Sequence, residues 1–401
     1  MFGAALLAAC ANQGDPPGGP PDVAPPAIVT VRPESGAVVA DWKDDAVIQF
    51  DEVIDEMGVS SGTGAGITGL AKQVILSPVH GDVSVSWGRT RIRVKPKEGW
   101  KPGRVYHLEL LPGIVDLRRN ILKKGQLVVF STGPAIPNRI LTGNAIQWVE
   151  QRSMFGALIE AVPLPDSVGY LTVADSAGRF HLDALPPGRY VVYATADQNN
   201  NRRRDRREAY DSAAVTLDSI AGVALFAFVH DTVGPRVRTG TVVDSNTVRL
   251  EFSQALGVPL DTAHVRVLQL PDSTPVTIVN ALTPPQYDSV TAAARKAKPD
   301  SARHDTTPAA RAPAPARADT TAAPADTSEL HRLLAQRPVP YDKAVLRFAS
   351  ALKPETRYVI RVSGAVNLNG ASGDGQVVVL TPKPPEPVKA DTAHRAPRTP
   401  P

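Results

Sequence analysis

The chain has 401 residues, of which 38 are proline, 30 are glycine and only 5% are aromatic. This length allows two or three domains, and the many turn formers predict short strands rather than long helices, so we expect an all-β fold. A net charge of +4 spread over the whole chain argues against a nucleic-acid partner, and a single cysteine excludes disulfides and cysteine-based metal sites within one chain.

The first ten residues form an apolar run that ends in small residues before the lone cysteine. Leu7-Ala8-Ala9-Cys10 resembles the lipobox of bacterial lipoprotein signals, which implies that residues 1–10 are a lipoprotein signal segment cut before an acylated Cys10. With Ala11 next, the resemblance implies an outer-membrane address. The run is short and no Lys or Arg precedes it, so an incidental cysteine near a terminus is the alternative. Residues 11–26, rich in Gly, Pro and Asp, predict a flexible tether.

Residues 27–134 alternate apolar and polar side chains in short runs that turn residues separate. Alternation with a period of two predicts strands with one buried face, and several such strands predict a β-sandwich. The clearest runs are Ala46–Phe50, Val83–Trp87, Arg91–Val94 and Tyr106–Leu110.

Residues 138–230 follow a different pattern, in which two apolar runs flank the turn Pro186-Pro187-Gly188. The runs predict two strands in a hairpin-like arrangement, with a positive φ at Gly188. This segment resembles the carboxypeptidase-regulatory-like or transthyretin-like domain, and the resemblance implies another β-sandwich.

The pattern of the first segment returns in residues 233–382. Arg249–Phe252 matches Val47–Phe50 at an offset of 202, whereas Tyr358 matches Tyr106 at an offset of 252. The second copy must therefore contain about 50 additional residues. A segment of about 285–338 accounts for them, because residues 291–328 contain no large apolar side chain and are predicted to be disordered. Residues 383–401 are predicted to be a disordered tail.

Both copies resemble the bacterial Ig-like domains of S-layer and other envelope proteins. The second copy has Asn367 where the first has Asp116, and it ends in Leu380-Thr381. The resemblance implies an Ig-like sandwich in each copy, but scaffolds of this kind imply no particular ligand. In the first copy it rests on Phe50, Pro102 with Tyr106, Val115-Asp116 with Asn120, and Phe130-Ser131-Thr132.

A cluster of oxygen-bearing side chains in the middle segment matches a twelve-residue calcium loop. Arg202 takes the position where such a loop needs glycine, and the neighbouring arginines, Arg203, Arg204, Arg206 and Arg207, add positive charge beside a cation. The alternatives are a solvated loop of turn formers and, within it, an arginine patch for an anionic partner. The candidate calcium ligands, at positions 1, 3, 5, 9 and 12 of the loop, are Asp197, Asn199, Asn201, Asp205 and Glu208.

Other motifs give no catalytic residue. Gly64–Gly69 fits the dinucleotide pattern G-x-G-x-x-G but has no βαβ context, so a flexible loop is expected. His107 and His181 fall in alternating strands and are expected to face solvent. The chain has no phosphate loop or cysteine nucleophile, which favours a protein that is not an enzyme.

These features favour a non-enzymatic cell-envelope lipoprotein whose Ig-like domains act as structural spacers or adhesion modules. The expected partners are the membrane, through the lipid, and envelope proteins or glycans. The alternative is a carbohydrate- or peptide-binding component of a surface assembly. That function would need an exposed aromatic platform, for which the chain offers four tryptophans, Trp42, Trp87, Trp100 and Trp148.

Overall fold

The computed structural model describes residues 21–56, 69–296 and 327–383. In these ranges the chain forms five β-sheets and two short α-helices, which confirms the predicted all-β fold of β-sandwich domains. Neither helix of the described ranges is long and apolar enough to span a bilayer. The signal segment with Cys10, residues 11–20 of the tether and residues 384–401 of the tail lie outside the described residues.

Residues 28–131 form two antiparallel sheets that pack face to face. Ile48 and Phe50, alternate side chains of one strand, are buried against Leu108 and Phe130 of the opposite sheet. The alternation in the sequence therefore marks the buried face, as predicted. In spatial order the first sheet contains β1 (Ile28–Arg32), β2 (Ala46–Phe50), β5 (Arg91–Pro96) and β4 (Val83–Trp87), and the second contains β3 (Val74–Ser77), β6 (Val105–Leu110) and β7 (Gln126–Ser131), with a 3₁₀ helix, Gly69–Gln73, before β3.

The middle segment forms one eight-stranded sheet that folds over on itself. Leu182, near one end of the sheet, and Ile159, near the other, belong to the same buried core. The spatial order is β11 (Tyr170–Val173), β10 (Leu158–Pro163), β13 (Gly188–Thr195), β14 (Ala209–Leu217), β15 (Ile220–Val229), β8 (Arg139–Gln147) and β12 (Arg179–Leu185), and the short β9 (Arg152–Ser153) pairs with β8.

The hairpin predicted around Pro186-Pro187-Gly188 is wrong in its pairing. β12 and β13 flank the turn, and Gly188 has a φ of +148°, positive as predicted. However, β12 pairs with β8, whereas β13 pairs with β10 and β14. The turn connects two halves of the folded sheet, so two apolar runs that are adjacent in sequence enter different halves.

Residues 237–380 form two four-stranded sheets around a third core. Leu250 and Phe252 of one sheet share this core with Tyr358 and Ile360 of the other. The first sheet has the order β16 (Val237–Asp244), β17 (Thr247–Leu256), β21 (Tyr341–Phe348) and β20 (Ile278–Leu282), and the second has β19 (Thr274–Pro275), β18 (Val265–Gln269), β22 (Arg357–Val366) and β23 (Ser372–Leu380), with a 3₁₀ helix, Thr262–His264, before β18.

The first and third sandwiches share a pattern of hydrogen bonds and, apart from the additional edge strand β19, their strand order. In each, a tyrosine hydroxyl accepts a hydrogen bond from the backbone N–H of a lysine five residues earlier. A threonine at the end of the domain then donates to the carbonyl of the same lysine. The second copy ends in Leu380-Thr381 rather than Phe-x-Thr, yet it keeps this bond. The distances are 2.7 Å for Lys101–Tyr106, 2.8 Å for Lys353–Tyr358, 2.7 Å for Thr132–Lys101 and 2.6 Å for Thr381–Lys353.

The insertion lies between β20 and β21, where the first sandwich has the short connection from β4 to β5. The disorder predicted for 285–338 is wrong at both ends, where α1 (Pro284–Lys296) and α2 (Thr327–Leu334) form; residues 297–326 lie outside the described residues. The prediction considered only large apolar side chains. It overlooked the high helix propensity of alanine in α1 and the leucines at the end of α2.

Candidate functional site

The candidate calcium loop connects β13 to β14, where the two strands pair as antiparallel neighbours. The backbone N–H of Ala196 donates to the carbonyl of Ala209 at 2.8 Å and closes the base of the loop. Asn200 and Arg202, the fourth and sixth residues of the loop, both have a φ of +55°. A left-handed conformation at the sixth position is the reason that calcium loops need glycine there, so this loop adopts the turn although arginine occupies the position.

The predicted ligands do come together around the inside of this loop. Asp197 accepts hydrogen bonds from the backbone N–H groups of Asn201 and Arg202 at 3.0 and 2.9 Å, one on each carboxylate oxygen. Asp205 accepts from the side-chain amides of Asn199 and Asn201 at 2.7 and 3.0 Å. Since these amides present nitrogen to Asp205, calcium binding would require them to rotate and present oxygen instead.

Glu208, the terminal ligand of the predicted site, is almost fully buried. One carboxylate oxygen accepts from the N–H of Gln198 at 3.0 Å, and the other accepts from the N–H of Asp205 at 3.3 Å. The bond from Gln198 holds the last residue of the loop against its start, and the bond from Asp205 closes its final turn. The arrangement is a hydrogen-bonded turn whose carboxylates face its own backbone, and the assignment of calcium to it stays a prediction.

Arg202 directs its side chain away from this turn and into the first sandwich. The guanidinium donates to the carbonyls of Ala71 and Lys72 at 2.9 and 2.8 Å, and also to the carbonyl of Val74. Burial lowers the pKa of Arg202 to about 10, although the charges of Asp197 and Glu109 act in the opposite direction. The residue that departs from the calcium pattern therefore connects two domains.

The loop lies at a seam between the first sandwich and the middle sheet. The N–H of Leu171 donates to Ser77 Oγ at 3.0 Å across this seam. Arg203 pairs with Asp82 at 3.7 Å on its exposed side. Backbone, hydroxyl and charged groups thus connect the two domains at several points.

The expectation that His107 faces solvent is wrong. His107 is 1% exposed, and its ring lies 4.9 Å from that of Tyr170 across the seam. The strand alternates as predicted, but its outer face is covered by the neighbouring domain rather than by water. His181, in contrast, is exposed as expected and contacts Asp183 at 2.6 Å.

Sequence reasoning missed an acidic cluster in the first sandwich. Among the described residues, Asp22, Glu52 and Asp116 form the one group of three acidic, histidine or cysteine side chains whose ligand atoms all lie within 4.8 Å of one another. Burial and the neighbouring carboxylates raise the pKa of Glu52. Burial alone would raise the pKa of Asp116 as well, but hydrogen bonds from Asn120 and the following backbone lower it overall.

The equivalent place in the third sandwich has fewer acidic groups, because amides take the positions of Asp116 and Glu52 while Asp231 corresponds to Asp22. There the side-chain amide of Asn367 donates to the carbonyls of Asp231 and Val233 and to Gln254 Oε1 at 2.8, 3.2 and 3.1 Å. The offset of 202 aligns Gln254 with Glu52, so the sequence repeat contained the signal for this charge difference. The remaining motif, Gly64–Gly69, lies outside the described residues except for Gly69, which begins a 3₁₀ helix.

Residues 22–132 match the family model of the bacterial Ig-like domain. The chain therefore contains an Ig-like domain, in agreement with the sandwich observed there. The match begins within the predicted tether of residues 11–26, and the carbonyl of Asp22 indeed accepts a hydrogen bond from Asn120 at 3.2 Å. No curated protein matches the chain.

Solved structures give only distant likenesses. The major pilin subunit BcpA of Bacillus cereus is 13% identical with a TM-score of 0.18, and the match covers 50% of this chain and 70% of the pilin. A DUF3823 family protein from Bacteroides uniformis is 7% identical with a TM-score of 0.18, covering 61% and 100%. The pilus 2b backbone protein of group B streptococcus is 10% identical with a TM-score of 0.17, covering 49% and 96%. Likenesses at this level say nothing about what this chain binds.

Proposed function

We propose that this chain is a non-enzymatic lipoprotein of the bacterial cell envelope whose Ig-like domains act as structural spacers or adhesion modules. A lipid on Cys10 anchors it in the outer membrane, and residues after Cys10 lead from the bilayer to the first sandwich. The lipobox-like Leu7-Ala8-Ala9-Cys10 and the bacterial Ig-like domain at 22–132 support this assignment.

The observation that carries the spacer function is the seam at Arg202. A spacer keeps two points apart only if its successive domains are attached to each other by more than a linker. Arg202 makes three hydrogen bonds to backbone carbonyls of the first sandwich, and hydrogen bonds of a charged donor are among the stronger ones in proteins. This contact restrains the middle sheet against the first sandwich.

The loop that carries Arg202 is also proposed to be a weak calcium site of the extracellular type, with Asp197, Asn199, Asn201, Asp205 and Glu208 as ligands. The positive φ angles at its fourth and sixth residues and the convergence of these side chains support this. Calcium would then stiffen the loop from which Arg202 reaches the first sandwich.

Acylation of Cys10 tests the envelope assignment. The chain and its Cys10→Ser variant are expressed in a diderm bacterium with radiolabelled palmitate, and membranes are separated by density. We expect label in the outer-membrane fraction for the chain and no label for Cys10→Ser. An unlabelled product that retains residues 1–9 and a free thiol would contradict the proposal.

A further inference from the structure

A cleft with a volume of about 1080 Å³ opens between the middle sheet and the third sandwich. One wall consists of Tyr210 and His230 at the ends of β14 and β15, and the opposite wall is the turn Asn369–Ala371. The arginine-rich end of the loop, Arg204–Arg207, forms its rim. The volume is slightly above the range of about 300–1,000 Å³ that ligand pockets occupy.

The rim carries more positive than negative charge. Arg206 and Arg207 are exposed and make no ion pair within the ranges that the structure describes. The two carboxylates of the cleft accept hydrogen bonds from their own loops: Asp205 from the amides of Asn199 and Asn201, and Asp231 from the N–H of Val233 at 2.8 Å. The guanidinium groups therefore remain free to donate to an incoming anion.

Aromatic rings fix the position of one of these arginines. The guanidinium of Arg204 lies 3.9 Å above the ring centroid of Tyr193 and 5.3 Å from that of Tyr210. The Tyr210 ring in turn stacks on His230 at 3.9 Å, and His230 stacks on Phe228 at 4.3 Å. A cation held over aromatic faces loses less conformational freedom when it binds, which favours affinity.

We propose that this cleft binds an acidic glycan, a sugar chain that carries carboxylate or phosphate groups. Arginine presents a planar fork of donors that matches both groups. The side chains of Asp231 and Thr232, also in the cleft, supply hydrogen-bonding groups for sugar hydroxyls. The site goes beyond the spacer function and names the chemistry of an envelope partner.

Two features favour this ligand over a nucleic acid and over a neutral sugar. Proteins that bind single-stranded nucleic acid stack bases on free aromatic faces. Here the ring of Tyr210 is covered by Arg204 and His230, so no such face is offered. Trp100 and Trp148 are not free for neutral sugars either, because Trp100 packs on Tyr106 and Phe130 and Trp148 packs on Phe228.

The test is calorimetric titration of the purified full chain at physiological ionic strength, where exposed charges are screened beyond about 8 Å. The probes are oligogalacturonate, a phosphorylated mannose oligosaccharide, neutral maltohexaose and a short single-stranded oligonucleotide. We expect binding of at least one acidic sugar and none of maltohexaose. Comparing the two acidic probes shows whether carboxylate or phosphate is preferred.

The variant Arg206→Gln/Arg207→Gln is expected to weaken acidic-sugar binding by about tenfold or more, since each arginine contributes charge-assisted hydrogen bonds. The matched control is Arg118→Gln/Arg119→Gln, an exposed adjacent pair in the first sandwich, which should leave affinity unchanged. Absence of acidic-sugar binding, equal losses in both variants, or tighter binding of the oligonucleotide would overturn the proposal. None of these outcomes depends on the lipid at Cys10.

Discussion

Arg202 combines an unfavourable backbone conformation with a favourable side-chain contact. A φ of +55° costs a residue with a side chain roughly 1–2 kcal/mol. Hydrogen bonds to a charged group contribute about 1.5–3 kcal/mol each, and Arg202 makes three. A glycine would remove the strain but also lose all three bonds, so arginine is the more stabilising residue at this position.

We expect Arg202→Ala to lower the free energy of unfolding by about 3 kcal/mol, less than the sum of the three hydrogen bonds because burying the guanidinium has a cost that alanine avoids; denaturant titration measures the loss. Alanine keeps the strained φ, so the difference reports the lost guanidinium contacts alone. The neighbouring Arg203→Ala is the control, because its exposed ion pair with Asp82 contributes only about 0–1 kcal/mol. Equal losses in the two variants would show that the contacts across the seam are unimportant.

His107 makes the seam sensitive to acid. Burial lowers the pKa of His107 to about 4 from its ordinary value of 6.5, although the nearby Ala184 backbone and Asp183 oppose the shift. The folded chain therefore favours the neutral ring. This contribution is fully present above pH 6.5 and is lost as the pH falls toward 4, and a shift of this size corresponds to roughly 3 kcal/mol.

We expect His107→Leu to flatten the decrease in stability between pH 6.5 and pH 4. Glu109 lies in the same strand with a pKa that burial raises, so protonating it stabilises the fold as the pH falls and partly masks the histidine. Glu109 is present in both the variant and the parent chain, so its effect on stability cancels when the two pH profiles are compared. A pH profile of His107→Leu that runs parallel to that of the parent chain would refute the role assigned to the seam.

At the scale of elements, the strands with one buried face could be predicted from the sequence. β2 buries Ala46, Ile48 and Phe50 and leaves Val47 and Gln49 half-buried, because one face packs on the opposite sheet. Features that depend on distant parts of the chain could not be predicted in the same way. The pairing of β12 with β8 and the covering of His107 both depend on segments far away in sequence.

The same limit applies to the candidate site. The spacing in the sequence was enough to predict that five oxygen-bearing residues share one loop, because the loop closes locally between paired strands. The contact of Arg202 with residues more than 120 positions earlier has no local signature. Sequence reasoning therefore counted Arg202 as a defect in a calcium loop, when its side chain serves the neighbouring domain.

Helix α2 connects the insertion of the third sandwich to the middle sheet. Leu333 is 7% exposed and packs with Ile146 and Phe226. Asn144 donates to Glu329 at 3.2 Å, and the indole N–H of Trp148 donates to the carbonyl of Pro338 at 3.2 Å. A short helix of this kind is stable only through such packing.

We expect Leu333→Ala to release α2, which hydrogen–deuterium exchange of residues 327–334 measures directly. Removing buried methyl groups should raise the exchange rate of the helix by about tenfold or more. His331→Ala changes an exposed residue of the same helix and serves as the control. If both variants exchange at the rate of the parent chain, the leucine does not hold the helix in place.

For the whole molecule, the loop between β13 and β14 contacts the first sandwich and borders the cleft beside the third. Arg202 reaches the first sandwich, whereas Arg204–Arg207 line the cleft beside the third sandwich. Any ligand that orders this loop would therefore act on both junctions at once. Such coupling needs no conformational change within the sandwiches, since only the loop is ordered.

Calcium is the ion that we expect to order the loop between β13 and β14. An extracellular-type site has a dissociation constant of about 10⁻⁴–10⁻³ M, and calcium at ten times that constant would stabilise the folded chain by about 1.4 kcal/mol. We expect added calcium to raise the unfolding midpoint of the parent chain and of Asp218→Ala, which removes an exposed carboxylate at the other end of β14. Asp197→Ala should abolish the increase.

Asp197 also accepts two backbone hydrogen bonds, so its replacement lowers stability even without calcium. The informative quantity is therefore the increase caused by the ion in each variant rather than the midpoint itself. No increase in the parent chain at millimolar calcium, or an equal increase in Asp197→Ala, would leave the loop as a hydrogen-bonded turn whose function is to position Arg202.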